Sequence, residues 1–492
     1  MIFNKYIWDL YRNSKEGIDD IAMFKKMGIQ LLSDQFGFDY HFDYLDENNE
    51  VQDANAYHGM MDELKDTSLE DFDQARKLFF EKVIHYIEED KFNMFMEFLG
   101  AYSTALFHSF PNYFIPFYFT SDSYPEFLKL CDNFNIMLPQ LPPRHDWVRR
   151  TWYYFEICET LHKFRNNLGI DALEFSAFLY FFGLKSLEKT KEEDLPKPSK
   201  IYFLGAGAIG GKEDENPDFI FLDKAENHSS NTWGAGNLNI KKGDLVLMYC
   251  VSPRKYLHSI WRAIEDSFID PFRFHYYCIK VGFPQKIEPV GFHELKENVI
   301  FKNSPTVRSN MQGMNGRPLS VNEYLELISM LGEKGQNTTG LPKLPVYERD
   351  VDNVENERDV EQKLIEPLLK DIGIKDTEWM RQMPLKMGRQ TSYYPDYAIF
   401  HNIKKGQEKA KVVLEAKYSI NSDKQFQEAF DQARSYALRL QAQKIVLADR
   451  DFVWIFIKSK EGFISKHNLK FHWNELANSD HHHKLKTTLL DK

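Results

Sequence analysis

The chain of 492 residues carries a formal net charge of −11 and is 43% hydrophobic and 27% charged, which is typical of a soluble folded protein with about three domains at roughly 150 residues each. The acidic total excludes a protein that coats nucleic acid through bulk charge, although it allows local basic grooves. The four cysteines form no CxxC pair, which excludes a zinc knuckle and a disulfide framework and predicts a reducing, cytoplasmic location.

Residues 1–190 are predicted to form a helical domain. Segments such as ARKLFFEKVIHYIEE, TWYYFEICETLHKFRNN and DALEFSAFLYFFGL repeat apolar residues every three or four positions, and Asp171 is the expected N-cap of the last. The most apolar stretch, Phe92–Phe110, is interrupted by polar residues, so we expect no membrane insertion. Arg144 and the segment Trp147–Arg150 form a basic cluster, which is expected to be a solvated helix start or a phosphate contact.

Residues 200–331 are predicted to be rich in β-structure. The runs KIYFLGAG, DFIFLD, GDLVLMYCV, HSIWRAI and FHYYCIKVG are expected to be strands of a small barrel or strongly curved sheet. Two stretches that combine charge, Pro and Gly, Ser186–Lys200 and Gly332–Glu355, are expected to be linkers on either side.

A glycine motif follows the first of these strands. Gly205, Gly207 and Gly210 satisfy G-x-G-x-x-G, the signature of a dinucleotide fold. The predicted strand FIFLD starts too soon after Gly210 for a crossover helix of about ten to twelve residues, so we expect a flexible turn. A phosphate-binding P-loop is excluded because Glu213 stands where Ser or Thr is needed, and no Walker A motif elsewhere indicates a nucleotide-driven motor.

Residues 350–475 predict an α/β domain. The order is a helix (ERDVEQKLIEPLLKDI), strands near PDYAIF and in KVVLEAK, a second helix (DKQFQEAFDQARSYALRLQ) and two strands, KIVLAD and FVWIFIK. Alternation of helices and strands in this order is typical of α/β folds.

The residues with the strongest chemical signal lie on two of these strands. Asp396 is at the mouth of one strand, and Glu415 and Lys417 share one face of the next. Paired carboxylates make an all-oxygen site that suits Mg²⁺, with Lys417 placed to orient or deprotonate an attacking water and to offset transition-state charge. The alternative is an exposed ion pair on a solvated strand. Lys386 and Arg389 precede Asp396 and are expected to meet a phosphate backbone.

Two helices add candidate residues. Glu357 leads a helix with an apolar face and is expected to present a third acid at the site, with Glu361, one turn later, as its rival. Gln432 and Tyr436 lie one turn apart on the helix after the Lys417 strand.

The order E…PD…ExK…QxxxY resembles the PD-(D/E)xK nuclease superfamily, and within it the nuclease domain at the start of type I restriction enzyme R subunits. The resemblance covers roughly Val354–Lys458. It implies that two acids bind metal, that the lysine is catalytic, and that the remaining residues supply the helix acid and support the substrate or the lysine. The residues matched to these roles are Asp396 and Glu415 for metal, Lys417 for catalysis, Glu357 for the helix acid, and Gln432 and Tyr436 for support.

The segments WGAGNLNIKKGDLVLMYCVSPRKYLHSIWRAIED and RPLSVNEYLELISML, within about Lys200–Leu331, resemble the EVE branch of the PUA-like domains. This implies a pocket for a flipped, often modified, base, where aromatic walls stack on the base. The candidate pocket residues are Trp233, Tyr249, Ser252 and Trp261. For the two tryptophans, packing in the core of the barrel is the alternative.

Together these observations predict a multidomain α+β protein with a helical domain, a PUA-like barrel and a PD-(D/E)xK nuclease domain. The expected function is a Mg²⁺-dependent DNA endonuclease of restriction or phage-defence type that hydrolyses phosphodiesters, with a modified base as a candidate target. Two alternatives are a nucleic-acid-binding protein with an inactive nuclease fold and an RNA-directed nuclease. One active site per chain predicts a homodimer or two sequential nicks, and His481–His483 are expected to lie in a frayed tail.

Overall fold

The structure, a computed structural model, describes residues 5–27, 41–45, 51–83, 89–119, 123–187, 190–207, 213–347, 349–386, 392–404 and 407–490. It contains both helices and sheets, which confirms a mixed α and β protein. The chain forms two compact units, unit 1 (residues 1–196, 202–297 and 302–317) and unit 2 (residues 197–201, 298–301 and 318–492). The finer division into three domains stays a prediction. Within the described ranges, no helix combines the length and apolar character needed to cross a membrane.

The first part of unit 1 is mainly helical, as predicted. Its elements are α1 (Lys5–Arg12), α2 (Lys15–Met27), β1 (His41–Leu45), β2 (Val51–Asn55), α3 (Ala56–Leu64), α4 (Phe72–Val83), α5 (Glu89–Ser109), α6 (Tyr124–Asn133), α7 (Trp147–Leu168) and α8 (Ala172–Ala177, continued as a π-helix over Phe178–Gly183). The Asp171 carboxylate accepts the backbone N–H groups of Leu173 and Glu174, which confirms it as the N-cap of α8. Aromatic and aliphatic side chains of these helices form one buried core.

The basic cluster at the start of α7 has a structural role that differs from the expected one. Arg150 is 0% exposed, and its guanidinium donates to the carbonyl oxygens of Pro271, Arg144 and Arg273 at 3.0, 3.0 and 2.6 Å. A buried cation is tolerated where its donors are all directed at acceptors. The expectation of a solvated or phosphate-binding cluster is therefore wrong for Arg150.

The later part of unit 1 contains a sheet. Its elements are β3 (Ile201–Ala206), α9 (Pro217–Lys224), β4 (Ser230–Gly234), β5 (Leu245–Cys250), β6 (Tyr256–Ala263), β7 (Phe268–Ile269), β8 (Tyr277–Gly291), α10 (Phe292–Glu297) and α11 (Pro305–Arg308). The strand order is β4-β8-β6-β5-β3, with β7 paired to β8. Strands β3, β5, β6 and β8 overlap the runs that the sequence predicts to be extended.

The run DFIFLD is a helix, α9, and the predicted strand is wrong. The Asn216 side chain accepts the N–H groups of Asp218 and Phe219, and Pro217 occupies the first turn. Both features are typical of a helix N-terminus. Phe219 and Leu222, three residues apart, are the buried positions, so this short apolar run has a helical period.

The glycine motif therefore does precede a helix, but the surrounding elements do not form a dinucleotide unit. The N–H of Gly207 donates to the Asp218 carboxylate at 2.7 Å, where a phosphate-binding loop would offer its N–H groups to the ligand. The strand that follows α9, β4, lies at an edge of the sheet, and β8, β6 and β5 separate it from β3. The premise that no helix fits after the motif is wrong, whereas the turn expected around Gly210 lies outside the described residues.

Unit 2 is built around a six-stranded sheet. After β9 (Arg317–Leu319) the chain forms α12 (Val321–Glu333), α13 (Glu357–Asp359, a π-helical turn over Val360–Ile365, and Glu366–Asp371), β10 (Trp379–Arg381), β11 (Leu385–Lys386), β12 (Ser392–Tyr393), β13 (Tyr397–Ile399), β14 (Val412–Ala416), α14 (Asp423–Arg439), β15 (Lys444–Ala448), β16 (Phe452–Ile457), β17 (Asn468–His472) and α15 (Ser479–Leu490). The sheet order is β10-β13-β14-β15-β16-β17. The order of elements predicted for the α/β domain is confirmed.

Helices cover both faces of this sheet. Leu414 and Ala416 pack with α13 and α15 on one face, whereas Val413 packs with α14 on the other. Strands β14 and β15 are parallel, and α14 is the crossover between them, as a parallel pair requires. The residues of β14 that share the face of Val413, Glu415 among them, therefore point toward α14.

The histidines near the end lie in helix α15, so the expectation of a frayed tail is wrong. His482 is 1% exposed, and its ring stacks on Tyr347 with a centroid distance of 3.5 Å. Burial, followed by the charge of Arg349, lowers the pKa of His482 to about 3. Ser479 donates to the carbonyl of Pro345 at 2.7 Å, so part of the predicted linker Gly332–Glu355 packs against this helix.

Candidate metal centre

The antiparallel pair β13 and β14 brings together the three residues of the predicted motif. Tyr397 of β13 is paired with Leu414 of β14. Beyond this pair, the N–H of Ala416 donates to the carboxylate of Asp396, the residue before Tyr397, at 2.7 Å. The N–H of Lys417 donates to the carbonyl of Ala448 at 2.9 Å, which extends the pairing with β15. Asp396, Glu415 and Lys417 therefore meet where these strands end.

Glu415 is the most enclosed carboxylate of the group. It is 1% exposed, and one of its oxygens accepts the Lys417 ammonium at 2.9 Å. The other oxygen, Oε2, is buried without a hydrogen-bond partner among the described residues. Burial and then the neighbouring Asp396 raise the pKa of Glu415 to about 7. Because a buried carboxylate oxygen without a partner is costly, this position favours a cation.

Lys417 keeps its proton in this environment. Burial alone would lower its pKa, but the charges of Glu415, Glu357 and Asp396 outweigh burial and raise it. Burial likewise raises the pKa of Asp396, against the opposing effect of the Ala416 N–H and of Lys417. The lysine is thus a fixed positive charge beside the acids, suited to stabilising negative charge rather than to accepting a proton.

Both candidate helix acids reach the site. Glu357 and Glu361, one turn apart on α13, each offer an oxygen that lies with an oxygen of Asp396 inside a group whose members are all within 4.8 Å of one another. Glu357 is exposed and Glu361 is buried. Loss of hydration around the carboxyl group is the largest cause that raises the pKa of each, and Asp396 raises both further.

Arg381 is a site residue that the sequence analysis missed. From β10 it forms an ion pair with Glu361, lies 3.6 Å from Glu366, and places its guanidinium 5.8 Å from the centroid of the Tyr397 ring. Its strand is only three residues long and matches no short motif. Only the pairing of β10 with β13 reveals its position.

Gln432 and Tyr436 lie above the sheet on α14. Gln432 donates to the Tyr436 hydroxyl at 3.4 Å, a long hydrogen bond. Tyr436 is 6% exposed, and its pKa is raised by burial first and also by the charges of Glu415 and Asp396. Tyr436 is therefore close to the acids, and Gln432 contacts its hydroxyl.

The chemistry of the donors fits a hard divalent cation. All are carboxylate oxygens, which Mg²⁺ prefers, and opposite ligands of Mg²⁺ are about 4.2 Å apart. The oxygens of Glu357, Glu361 and Asp396 all lie within 4.8 Å of one another, so distance allows each of them to be a ligand.

The predicted phosphate contacts lie at the limits of the described chain. Lys386 ends β11, but its side chain lies outside the described residues, as does all of Arg389. Their predicted contacts stay predictions.

The aromatic residues predicted to bind a base in unit 1 are mostly enclosed. Trp233 and Trp261 belong to the buried core of the sheet and pack against Phe221, with centroid distances of 6.3 and 5.9 Å. Tyr249 is 4% exposed, whereas Ser252 is exposed. Trp261 is 0% exposed. A base-binding role for these residues stays a prediction.

Comparisons with known proteins add little. No family model matches the chain, and no curated protein matches it. A protein from Rhodopseudomonas palustris, with a structure determined by NMR, matches 29% of this chain over 99% of its own length, with 12% sequence identity and a TM-score of 0.22. A similarity this weak does not bear on fold or function.

Proposed function

We propose that unit 2 is a divalent-metal-dependent nuclease that hydrolyses phosphodiester bonds in DNA. The observation that supports this most directly is an oxygen of Glu415 that is buried and has no hydrogen-bond partner in the described part of the chain, beside Asp396 and the protonated Lys417. A buried acid with a raised pKa next to further acids is typical of a functional site.

The metal would be held by Asp396 and Glu415, with Glu357 as the acid from α13. Mg²⁺ is the ion that we propose, because all three side chains are carboxylates and offer only oxygen. A bound divalent cation supplies a Lewis acid that polarises the phosphoryl group and activates water.

The side chains of this chain then supply orientation and charge. Lys417, held at 2.9 Å by Glu415, directs its remaining N–H groups to the attacking water or to the phosphoryl oxygens and stabilises the negative charge that develops there. The Tyr436 hydroxyl, buried beside the acids, supports the position of these groups, and Gln432 holds Tyr436.

The choice of DNA, and of a restriction or phage-defence role in the cytoplasm, rests on the resemblance to restriction nuclease domains. Unit 1 would select the substrate through its β-rich part, with a modified base as the proposed target. A homodimer would carry two active sites, one in each protomer, and so could cut both strands of the DNA.

The direct test is cleavage by the full-length protein. Plasmid DNA that is unmodified, methylated or hydroxymethylated, and a matched RNA, are incubated with Mg²⁺ or with EDTA. We expect cleavage of DNA with Mg²⁺ only, and its loss in Lys417→Ala. The matched control is Lys409→Ala, because Lys409 is exposed and pairs with Asn402 beyond the opposite ends of the same two strands.

Each other result points to a different function. Binding of DNA without any cleavage would indicate an inactive nuclease fold, and cleavage of RNA alone would indicate an RNA-directed nuclease. Full activity in Lys417→Ala would exclude the proposed centre.

A further inference from the structure

We propose that Arg381 is a positioning residue that withholds Glu361 from the metal, so that Glu357 is the acid that α13 contributes. The guanidinium of Arg381 would balance the negative charge of Glu361 within the metal centre. This inference rests on the proposed function, because it concerns the same metal site.

Two acids of α13 compete for one place. Glu357 and Glu361 each have an oxygen within 4.8 Å of an oxygen of Asp396, so distance alone does not select between them. Their surroundings differ, however. Glu357 is exposed at the mouth of the site, and the positive charge of Lys417 acts on it. Glu361 is 7% exposed and is paired with Arg381.

Arg381 is anchored from several sides. Its backbone is paired with that of Tyr397 in the sheet, and its guanidinium contacts Glu361 and lies 3.6 Å from Glu366. Tyr397, whose ring centroid lies 5.8 Å from the guanidinium, donates its hydroxyl to Glu366 at 3.0 Å. This arrangement holds the guanidinium in place before any metal binds.

The pairing sets which acid is available. For Glu361 to ligate a metal through the oxygen that contacts Arg381, this ion pair must be broken, in which Glu361 is buried and Arg381 is 35% exposed. Breaking the pair leaves the buried carboxylate without its counter-charge. Glu357 has no comparable barrier because it faces water. The metal would therefore meet Glu357, Asp396 and Glu415, with the charge of Glu361 already neutralised.

The test measures metal binding rather than activity. Mn²⁺, as a calorimetric probe for the site, is titrated into the full-length protein, and Asp396→Asn identifies the heat that belongs to the centre. We expect Arg381→Ala to bind Mn²⁺ about tenfold more tightly, because Glu361 becomes a free additional carboxylate. The double variant Arg381→Ala/Glu361→Gln should return to within about twofold of the wild-type affinity.

Arg439→Ala is the matched control. Arg439 forms an ion pair with Glu408 at 3.0 Å and is 34% exposed, close to the 35% of Arg381. Its loss should leave Mn²⁺ affinity unchanged, so a change there would show a general charge effect.

Several results would overturn the inference. Unchanged or weaker binding in a folded Arg381→Ala protein, with binding still lost in Asp396→Asn, would refute the role of Arg381 while leaving the metal centre intact. If Arg381→Ala does not fold, the double variant decides, because it removes both members of the pair; weak binding there would show that Glu361 is a ligand. No Mn²⁺ binding by the wild-type protein would refute both proposals.

Discussion

Two buried carboxylates, Asp270 in unit 1 and Glu415 in unit 2, have closely similar local properties. Each has one oxygen buried without a hydrogen-bond partner among the described residues. Burial is the main cause that raises the pKa of each, to about 7 in both cases. Taken one at a time, these two acids would be equal candidates for a functional site.

Their neighbours separate them. Asp270 is 0% exposed; the N–H of Phe272 donates to it at 2.9 Å, and Arg273 and Arg150 are the charges that lower its pKa. Glu415 instead lies among further acids and a lysine, and the exposed Glu357 opens that group to water. A raised pKa shows that an acid is buried, whereas a site also needs converging acids and access for the substrate.

The largest expected difference between the two regions is in activity. Lys417→Ala or Asp396→Ala should reduce Mg²⁺-dependent cleavage by more than about a thousandfold, because stabilisation of the transition state worth several kcal/mol is lost. The corresponding change in unit 1, Asp270→Asn, should leave the cleavage rate unchanged. Cleavage of a labelled duplex under single-turnover conditions measures both, and an equal loss in Asp270→Asn would erase the distinction.

The next difference is in stability. Arg150→Met should destabilise unit 1 by about 3–5 kcal/mol, because it removes the charged donor from three carbonyl acceptors in a buried site. The neighbouring Arg149→Ala, at an exposed side chain, should cost less than about 0.5 kcal/mol. Urea unfolding followed by circular dichroism compares them. Similar midpoints would show that the buried arginine contributes little.

Asp270 should also make the stability of unit 1 depend on pH. Its pKa rises from 3.8 in the unfolded chain to about 7 in the folded one. The stability from this group is therefore greatest below the lower value and is lost as the pH rises to the higher value, by on the order of a few kcal/mol. Asp270→Asn should remove this part of the decline in the free energy of unfolding between about pH 5 and about pH 8. Urea unfolding at these two pH values measures the decline. Parallel declines in the two proteins would contradict the raised pKa.

The smallest expected effect tests whether unit 1 selects the substrate. If Tyr249 contacts a flipped base, Tyr249→Leu should weaken binding of the preferred DNA by about 1–3 kcal/mol and leave Mn²⁺ affinity unchanged. Tyr202→Leu, another buried tyrosine of the same sheet, is the control. Fluorescence titration with modified and unmodified duplexes measures the preference. An equal loss in both variants would indicate a general effect on folding.

Much of unit 2 follows from local sequence patterns. The alternation in KVVLEAK and the apolar period of the segments around it predict β14, α13 and α14, because each depends on residues that are close along the chain. The same spacing predicts that Glu415 and Lys417 share one face of a strand. Their ion pair at 2.9 Å is consistent with that.

Short apolar runs and polar residues in the core were harder to predict. FIFLD has too few residues to distinguish a strand from a helix by period, and the cap at Asn216 decided it. Arg150 and His482 have polar side chains that usually lie in water, and both are buried. Their burial depends on Arg273 and Tyr347, which are distant in sequence.

The sequence by itself determined the local elements of the candidate metal centre and the residue types that it contains. Only the tertiary structure decided that one oxygen of Glu415 lacks a hydrogen-bond partner among the residues that the structure describes, that Arg381 pairs with Glu361, and that Asp270 is enclosed near two arginines. Periodicity reports which side of an element is buried. The electrostatic environment of a buried charge is set instead by groups that long-range packing brings within a few ångströms.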